Sequence, residues 1–418
     1  MDPIPTPLTG LVQELAASER FGAFAEAFPA NARVSEPALP LLLAALHATL
    51  GRSLTCLLAE DEETRDVAEA IGWYVDPATV ALLPSRGVGA ASGLEPPAHL
   101  VGERARALEV LAAGGLVCVS ARALAEGMPP DRVRPEVIHL TSADTRDLDT
   151  LVEELALAGY ERVERVEERG QIAVRGGLVD VFPSTGREPL RVEFFGDDVE
   201  QIRAFSPFTQ RALHQVVEAA IYPARERLHD EVTLDAGAGD TDRIPLFDGA
   251  PDLVWQIDDV ASLWDEEALA GPSLDGAARL DALPRSQPHV FEAQRPAIAA
   301  RGLAEAENEL AGMVRQGRRV VVTFPHQGEA LRTQRLLRKV EATVESAIVE
   351  VPHDPSLAFV VSAARRGFVW RDLGIALLPD TQVFRKRPPR CSARPSRSAR
   401  AGRRVGPRRG RRGRGSRA

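Results

Sequence analysis

The chain has 418 residues, a formal net charge of −9, 44% hydrophobic residues and 27% charged residues. This length allows roughly two to four domains with cores of their own, and the composition is typical of globular proteins rather than fibrous or disordered ones. The longest apolar run, Leu39 to Leu50, is too short and too interrupted to cross a bilayer, so we expect no membrane span.

The amino-terminal sequence and the cysteines indicate a cellular compartment. The opening MDPIPTPLTG lacks the basic start and apolar core of a secretory signal, which predicts a cytoplasmic protein. Cys56 and Cys118 lie in apolar runs and Cys391 lies near the C-terminus, without the paired spacing of a disulfide framework or a zinc site. We therefore expect no metal and no cofactor.

Charge is distributed unevenly along the chain. Residues 385–418 contain 15 basic and no acidic residues. Because the whole chain has a formal net charge of −9, residues 1–384 have a net charge of −9 − 15 = −24. An acidic body repels the phosphates of nucleic acid. The tail has two interpretations: an arginine-rich arm that binds nucleic acid, or the frameshifted or truncated end of a GC-rich gene. We expect it to be disordered in either case.

The first part of the chain alternates between helical and strand patterns. The order is a helix at Leu39 to Leu50, a strand at 53–60, a helix from Asp61, and strands at 80–84 and 114–124. This rhythm is typical of α/β domains. The proline-rich stretch PPDRVRP, residues 129–135, predicts a boundary.

Beyond that boundary the apolar period changes from helical to alternating. An amphipathic helix is predicted at 144–160, with Gly159 as its stop. Residues 171–182 and 190–205 predict an antiparallel meander, with a bulge at Gly176 and Gly177 and a turn at 196–198. Helical and strand patterns then return: helices at 258–270, 303–316 and 329–340, and a strand at 318–324.

Motifs for catalysis are missing from this sequence. A P-loop needs a Gly-Lys pair, but Lys339 follows Arg338 and Lys386 follows Arg385. The acidic stretches AEDEE and WDEEA are better explained by helix caps at Asp61 and Asp265. GVGAASG, residues 87–93, has the wrong spacing for a dinucleotide fingerprint and predicts a loop. Scattered histidines such as His326 and the absence of Gly-x-Ser-x-Gly leave no catalytic residue to propose.

The meander carries the one promising feature. Side chains alternate along a strand, so Leu190, Val192 and Phe194 share a predicted core face while Arg191, Glu193 and Phe195 share the opposite face. If the neighbouring strands pair, Arg175 joins this second face. An aromatic ring between arginines has the composition of a binding hot spot. Two interpretations remain open: a partner protein covers Phe195, or another domain of this chain does.

A long segment of the meander resembles a known family. The stretch GQIAVRGGLVDVFPSTGREPLRVEFFGDDVEQIRAFSPFTQRAL, with the preceding LAGYERVERVEERG, is similar to the UvrA-binding domain shared by UvrB and the bacterial transcription-repair coupling factors. Weaker similarity spans roughly residues 30–384. The resemblance implies that UvrA is the partner and that Arg175, Arg191 and Phe195 contact it.

The resemblance also implies a domain order. UvrB has a working P-loop where this chain reads ANARVSEPALPLLLAAL, and the coupling factors have lost it, so the missing Gly-Lys favours the coupling factors. We expect an α/β protein whose degenerate UvrB-like first domain contains an inserted α+β domain with an antiparallel sheet. The expected parts are an N-terminal extension (1–30), the first domain (31–128 and 223–299), the UvrA-binding domain (129–222), a third small α/β domain (300–384) and the tail (385–418).

The implied function is recruitment of UvrA in transcription-coupled nucleotide excision repair, without enzymatic activity in this chain. Full-length coupling factors displace stalled RNA polymerase by ATP-driven DNA translocation, and we expect this chain to end before the polymerase-binding and motor domains. The segment between IYPARE (221–226) and DGAPDLVW (248–255) is expected to be shorter than in the family, which bears on whether the first domain is complete. Two alternatives remain: a UvrB-like excision-repair ATPase, and a nucleic-acid-binding protein that contacts DNA through its arginine-rich tail.

Overall fold

The computed structural model describes residues 6–89, 94–142, 144–228, 243–283, 287–298, 300 and 302–384. Across these ranges the fold is mixed α/β, with both parallel and antiparallel sheets, as predicted at the level of class. The described helices include none with the length and apolar character needed to cross a membrane. The predictions for the tail, for part of the glycine-rich loop (90–93) and for the short segment (229–242) lie outside the described residues.

Helices and strands are distributed along the whole described chain. The helices are Thr9–Ala16, Glu19–Glu26, Leu39–Leu50, Asp61–Ile71, Ala98–Ala112, Ala121–Glu126, Leu148–Leu157, Ile257–Glu266, Leu303–Arg315, Gln327–Leu336 and Asp380–Val383. The strands are β1 Ala32–Val34, β2 Leu54–Leu58, β3 Val80–Leu83, β4 Leu116–Ser120, β5 Ile138–Thr141, β6 Glu161–Arg162, β7 Gln171–Arg175, β8 Leu178–Phe182, β9 Leu190–Phe195, β10 Asp198–Phe205, β11 Ala212–Val216, β12 Glu218–Ile221, β13 Leu253–Trp255, β14 Ala278–Asp281, β15 His289–Phe291, β16 Arg319–Phe324, β17 Thr343–Glu345, β18 Leu357–Val361, β19 Phe368–Trp370 and β20 Ile375–Pro379.

A seven-stranded parallel sheet combines two distant parts of the sequence. Its order is β15-β1-β14-β13-β2-β4-β3, so strands from 253–291 pair with strands from 32–120. Parallel strands covered on both faces are apolar throughout, and every residue of β2 and β4 is buried. Cys56 lies opposite Cys118 in this sheet, and both are free thiols. Burial raises the pKa of Cys118 to about 12, which makes that thiol unreactive.

The residues between these two parts form a separate, mostly antiparallel arrangement, in which β6 runs parallel to β7. A six-stranded sheet has the order β11-β10-β9-β8-β7-β6, and β5 and β12 form a two-stranded sheet beside it. Helix Leu148–Leu157 buries Leu151 and Leu155 in the same core as Val179, Val192 and Ile202. One face of the six-stranded sheet is therefore closed by apolar packing.

The third sheet and the amino-terminal helices share a core with the first sheet. The third sheet has the order β17-β18-β16-β20-β19, in which β19 is antiparallel to β20. The described part of the expected N-terminal extension, residues 1–30, folds into two helices that bury Leu11 and Phe24 in that shared core. The Gly10 amide donates to the Ile348 carbonyl at 2.6 Å. These helices therefore contribute to packing between the sheets.

A buried network of charges lies where the antiparallel part joins the first sheet. The Nε atoms of Arg86 and Arg104 lie 2.9 Å and 3.2 Å from carboxylate oxygens of Glu226, and Arg243 Nη1 lies 3.1 Å from Glu226. Arg104 Nη1 is also 3.5 Å from Glu126. Burial by itself raises the pKa of Glu226, but the three arginines together hold it below its usual value. A structure in which one of these buried charges lost its partners would be strongly destabilised.

Three local predictions were wrong. Gly176 and Gly177 form a tight turn that joins β7 to β8, because Arg175 and Leu178 are register partners, and Gly176 has a φ of +58°. Asp61 does not cap its helix; its carboxylate accepts a hydrogen bond from the Ser85 amide at 2.9 Å. Asp265 lies near the end of helix Ile257–Glu266 rather than at its start.

The close approach at Gly10 generates a stability prediction. A Cβ at this position would lie 2.7 Å from the Ile348 carbonyl oxygen, which is backbone and cannot turn aside. Gly10→Ala should therefore lower the free energy of unfolding by about 1–3 kcal/mol, measured by urea denaturation. Gly22→Ala, in the neighbouring helix Glu19–Glu26, is the control because its Cβ would meet nothing within 4 Å. An unchanged or higher stability for Gly10→Ala would contradict the role of this contact.

Candidate partner-binding surface

The outer face of the six-stranded sheet is the face turned away from helix Leu148–Leu157. Register pairs Arg175 with Leu178, Leu178 with Glu193, and Asp180 with Arg191, so the side chains of these residues share that face. The alternate residues of the same strands belong to the apolar core. The structure thus places Arg175, Arg191 and Phe195 on one face.

A loop covers one end of the outer face. In this loop, between β6 and β7, Val163 and Val166 pack against Ala173 and Phe182. Arg165 Nη2 donates to the carbonyl oxygens of Pro207 and Phe208, at 2.7 Å and 3.1 Å, and so ties the loop to the turn between β10 and β11. At the opposite end, which we call the open end, Arg175 and Phe195 are exposed; the residues of the open end are Arg175, Leu178, Glu193 and Phe195.

Phe195 is the exposed aromatic residue of the open end. Its side chain lies at the end of β9, before the turn at Gly196 and Asp197, and the residue is 78% exposed. The described residues of this chain therefore do not bury the ring, which was one of the two interpretations left open by the sequence. A large apolar ring in water is unfavourable unless a partner covers it.

Arg191 is held by its own sheet. Its Nε and Nη2 atoms donate to the two carboxylate oxygens of Asp180 at 2.6 Å and 2.8 Å. Its guanidinium also lies 4.8 Å from the centre of the Phe205 ring. The hydrogen bonds to Asp180 raise the pKa of Arg191 above its usual value. Arg191 is four residues from Phe195 along β9, a span of about 13 Å, so it shares the face without stacking on that ring.

Arg175 differs from Arg191 in its surroundings. It is exposed, and its Nη2 atom donates to the backbone carbonyl of Glu164 at 2.6 Å rather than to a carboxylate. The remaining charged pair of the outer face, Glu193 with Arg203, neutralises itself across β9 and β10. Within the described chain, Arg175 is therefore the cation of the open end whose charge no carboxylate neutralises.

Sequence reasoning missed Asp180 and Phe205. Asp180 is buried between Val179 and Val181 in the run LVDVF. A single carboxylate inside an apolar strand was the available signal, because such a group must be paired to be tolerated. Its partner could not be read from the sequence, since the register between β8 and β9 decides it.

The loop after β1 is the other position of interest, because a P-loop would occupy this place. The Ser35 amide donates to the Phe291 carbonyl at 2.9 Å, and the Ser35 hydroxyl donates to the Ala293 carbonyl at 2.9 Å. Pro37 has no amide hydrogen, and Glu36 brings a carboxylate to the loop. Ser35 and Pro37 therefore offer no free amide donor to a phosphate.

A cavity of about 620 Å³ lies beside this loop. Arg295 and Arg366 lie in its wall and form ion pairs with Glu36. Burial raises the pKa of Glu63, whose carboxylate accepts a hydrogen bond from Trp255 at 2.8 Å. The carboxylates in the wall are those of Glu36, Glu60, Glu62, Glu63 and Asp66.

No cluster of metal-ligating side chains occurs among the described residues. His, Cys, Asp and Glu do not come together there in a group of three or more that could hold a metal ion. The cavity beside Glu36 therefore has carboxylates without the geometry of a metal site.

Comparison with known proteins confirms the resemblance. Residues 138–226 match the family model of the UvrB interaction domain. The transcription-repair-coupling factor of Mycobacterium bovis is 34% identical over 224 residues, which are 50% of this chain and 18% of that protein. The one from Myxococcus xanthus is 33% identical over 202 residues, 46% of this chain and 17% of that protein. The one from Haemophilus influenzae is 38% identical over 98 residues, which are 23% of this chain and 9% of that protein. The matches thus span under a fifth of these relatives.

The two adjacent phenylalanines of β9 give a prediction about the outer face. Phe195→Ala should change the free energy of unfolding by less than about 0.5 kcal/mol, because the ring is already in water. Phe194→Ala should cost about 2 kcal/mol or more, because Phe194 packs against the core. Urea denaturation of both variants measures the difference. A large loss for Phe195→Ala would mean that the ring supports the fold.

Proposed function

We propose that this chain, which resembles an amino-terminal region of bacterial transcription-repair coupling factors, acts as an adaptor that recruits UvrA in transcription-coupled nucleotide excision repair. The docking surface is the open end of the outer face together with Arg191, which lies next to it on β9, and Arg175, Arg191 and Phe195 make the contacts. The observation that carries the proposal is the exposed Phe195 ring, which lies inside the segment that matches the UvrB interaction domain.

The physical chemistry of the open end favours docking of a protein. Covering an exposed phenylalanine ring is worth roughly 2 kcal/mol, which is comparable to one hot-spot contact of an interface. Arg175 adds a charge that no described carboxylate neutralises, and Arg191 adds hydrogen-bond donors in a fixed place. UvrA would need an apolar pocket for the ring and acceptors on either side of it.

The arrangement of the sheets supports the UvrB-like domain order. Residues 31–128 and 223–299 contribute the parallel sheet, and the antiparallel part at 129–222 interrupts them in sequence. Residues 300–384 contribute the third sheet. We therefore assign the parallel sheet to a degenerate first domain, the antiparallel part to the inserted UvrA-binding domain, and the third sheet to a small α/β domain.

The loop after β1 supports an adaptor rather than an ATPase. Catalysis of phosphoryl transfer needs backbone amides and a lysine around the phosphates. Here the Ser35 amide is committed to Phe291, Pro37 lacks an amide hydrogen, and Glu36 would repel a phosphate. An anion in the neighbouring cavity would also meet several carboxylates.

Capture of UvrA tests the proposal. Arg191→Ala and Phe195→Ala should each weaken binding of UvrA about tenfold or more, since 1.4 kcal/mol of lost contact corresponds to a tenfold change in Kd. Biolayer interferometry with immobilised UvrA measures this loss.

The control variants are Phe208→Ala and Arg211→Ala, which change the same residue types in the turn between β10 and β11. Phe208 is 89% exposed, but it lies at the opposite end of β10 from Phe195. Equal capture by wild type, Arg191→Ala and Phe195→Ala would remove the basis of the proposal. Equal losses for the control variants would place the docking surface elsewhere on the sheet.

The nucleotide prediction separates the adaptor from a UvrB-like ATPase. Titration calorimetry with MgATP at millimolar concentration should give no heat of binding, and no phosphate should be released over hours. UvrB, studied in the same buffer, is the positive control. A saturable binding heat or a measurable turnover by this chain would support the ATPase alternative instead.

A further inference from the structure

We infer that Asp180 is a positioning residue for the docking of UvrA: its buried carboxylate holds the Arg191 guanidinium over the Phe205 ring as a fixed donor rather than a mobile charge. This inference rests on the proposed function and deepens it. Asp180 itself would make no contact with UvrA, because its side chain is only 4% exposed.

The contacts of Asp180 are the first support. Its two carboxylate oxygens accept from two nitrogen atoms of one guanidinium, at 2.6 Å and 2.8 Å, which is the side-on geometry that lysine cannot reproduce. Among the described residues, both oxygens accept hydrogen bonds from Arg191 alone. The pair crosses from β8 to β9 at a register position, so the backbone holds the two side chains opposite each other.

The cost of burying Asp180 is the second support. Burying a carboxylate costs desolvation free energy, and its attraction to a charged partner at best offsets this cost. An apolar residue of similar size often stabilises the fold as much or more. Ala173, the register partner of Asp180 on the same face of the sheet, is only 1% exposed, so this position suits an apolar side chain. Stability alone therefore gives little reason for a carboxylate here, whereas fixing the direction of Arg191 does.

The Phe205 ring holds Arg191 from a second side. The ring is only 1% exposed, and its centre lies 4.8 Å from the guanidinium carbon. A guanidinium held by a carboxylate and a ring has already lost its side-chain freedom before UvrA arrives. Binding then costs less conformational entropy than it would with a free arginine.

The N–H donors of Arg191 that Asp180 does not use determine which groups of UvrA would bind there. A guanidinium has five N–H donors, and Asp180 takes two of them. The arginine side chain keeps 23% of its surface exposed. Because the pair with Asp180 is neutral overall, carbonyl or amide oxygens on UvrA fit it, while a carboxylate of UvrA fits the unneutralised Arg175.

A double-mutant cycle tests the inference, with the Kd for UvrA measured for wild type, Asp180→Asn, Arg191→Ala and the double variant. We expect each single variant to bind about tenfold more weakly and the double variant to bind no more weakly than Arg191→Ala, because Asp180 acts only through Arg191. Arg191→Lys should lose nearly as much as Arg191→Ala, whereas Arg175→Lys should keep most of the affinity. Wild-type affinity for Asp180→Asn, or additive losses in the double variant, would overturn the inference.

Two further measurements separate positioning from folding. The Nε–H proton of Arg191, observed in a ¹⁵N-resolved proton spectrum, should exchange slowly with water in the wild type and rapidly in Asp180→Asn. Thermal melts confirm that the variant is folded.

Phe205→Leu is the substitute variant if Asp180→Asn does not fold, because Phe205→Leu removes the ring and keeps the carboxylate. Phe205→Leu should weaken binding of UvrA only when Arg191 is present. Glu103→Gln breaks the two-point pair of Glu103 with Arg65, at 3.1 Å and 3.2 Å, and should leave binding unchanged.

The outcomes also separate this inference from the proposed function. If Phe195→Ala and Arg191→Ala bind UvrA like the wild type, the proposed function fails and the inference fails with it. If both lose UvrA while Asp180→Asn and Phe205→Leu keep it, the docking surface stands and only the positioning role of Asp180 is overturned.

Discussion

The alternation of side chains across the six-stranded sheet is the constraint on which the candidate surface depends. Helix Leu148–Leu157 buries one face of this sheet, so Val192 must point inward and its neighbours Arg191 and Glu193 must point outward. A slip of one residue in register would place valines in water and charges in the core. The outward direction of Phe195 is therefore a consequence of core packing.

Within the outer face, charge pairing decides what is left for a partner. Asp180 neutralises Arg191, and Glu193 neutralises Arg203, so most of the charge on this face is balanced internally. The loop between β6 and β7 covers one end, so the part left for a partner is the open end and the partly exposed Arg191 beside it. What remains is one ring, one unneutralised arginine and one arginine held in place. That combination favours an interface of defined shape over a general electrostatic attraction. A general attraction through positive charge would also be at odds with the net negative charge of the chain.

The rest of the described chain connects this surface to two other sheets through buried contacts. The buried network around Glu226 lies where the chain returns from the antiparallel part to the parallel sheet, and the amino-terminal helices pack in the core shared with the third sheet. Gly102 lies so close to Ser184 that a Cβ there would meet the serine oxygen at 2.1 Å. The charges of the network are costly to separate once buried. The loop around Glu36, in turn, is committed to packing and ion pairs.

Local patterns by themselves determined much of this protein. Helix Leu39–Leu50 was predicted with its observed bounds, because its apolar run stops at Gly51, whose φ is +60°. The faces of β9 also followed from alternation alone. Only the tertiary structure decided the pairing of β13 with β2, which lie about two hundred residues apart, and the partnership of Asp180 with Arg191. The reason is physical: propensity and periodicity act over a few neighbouring residues, whereas strand register and burial depend on contacts between residues far apart in the chain.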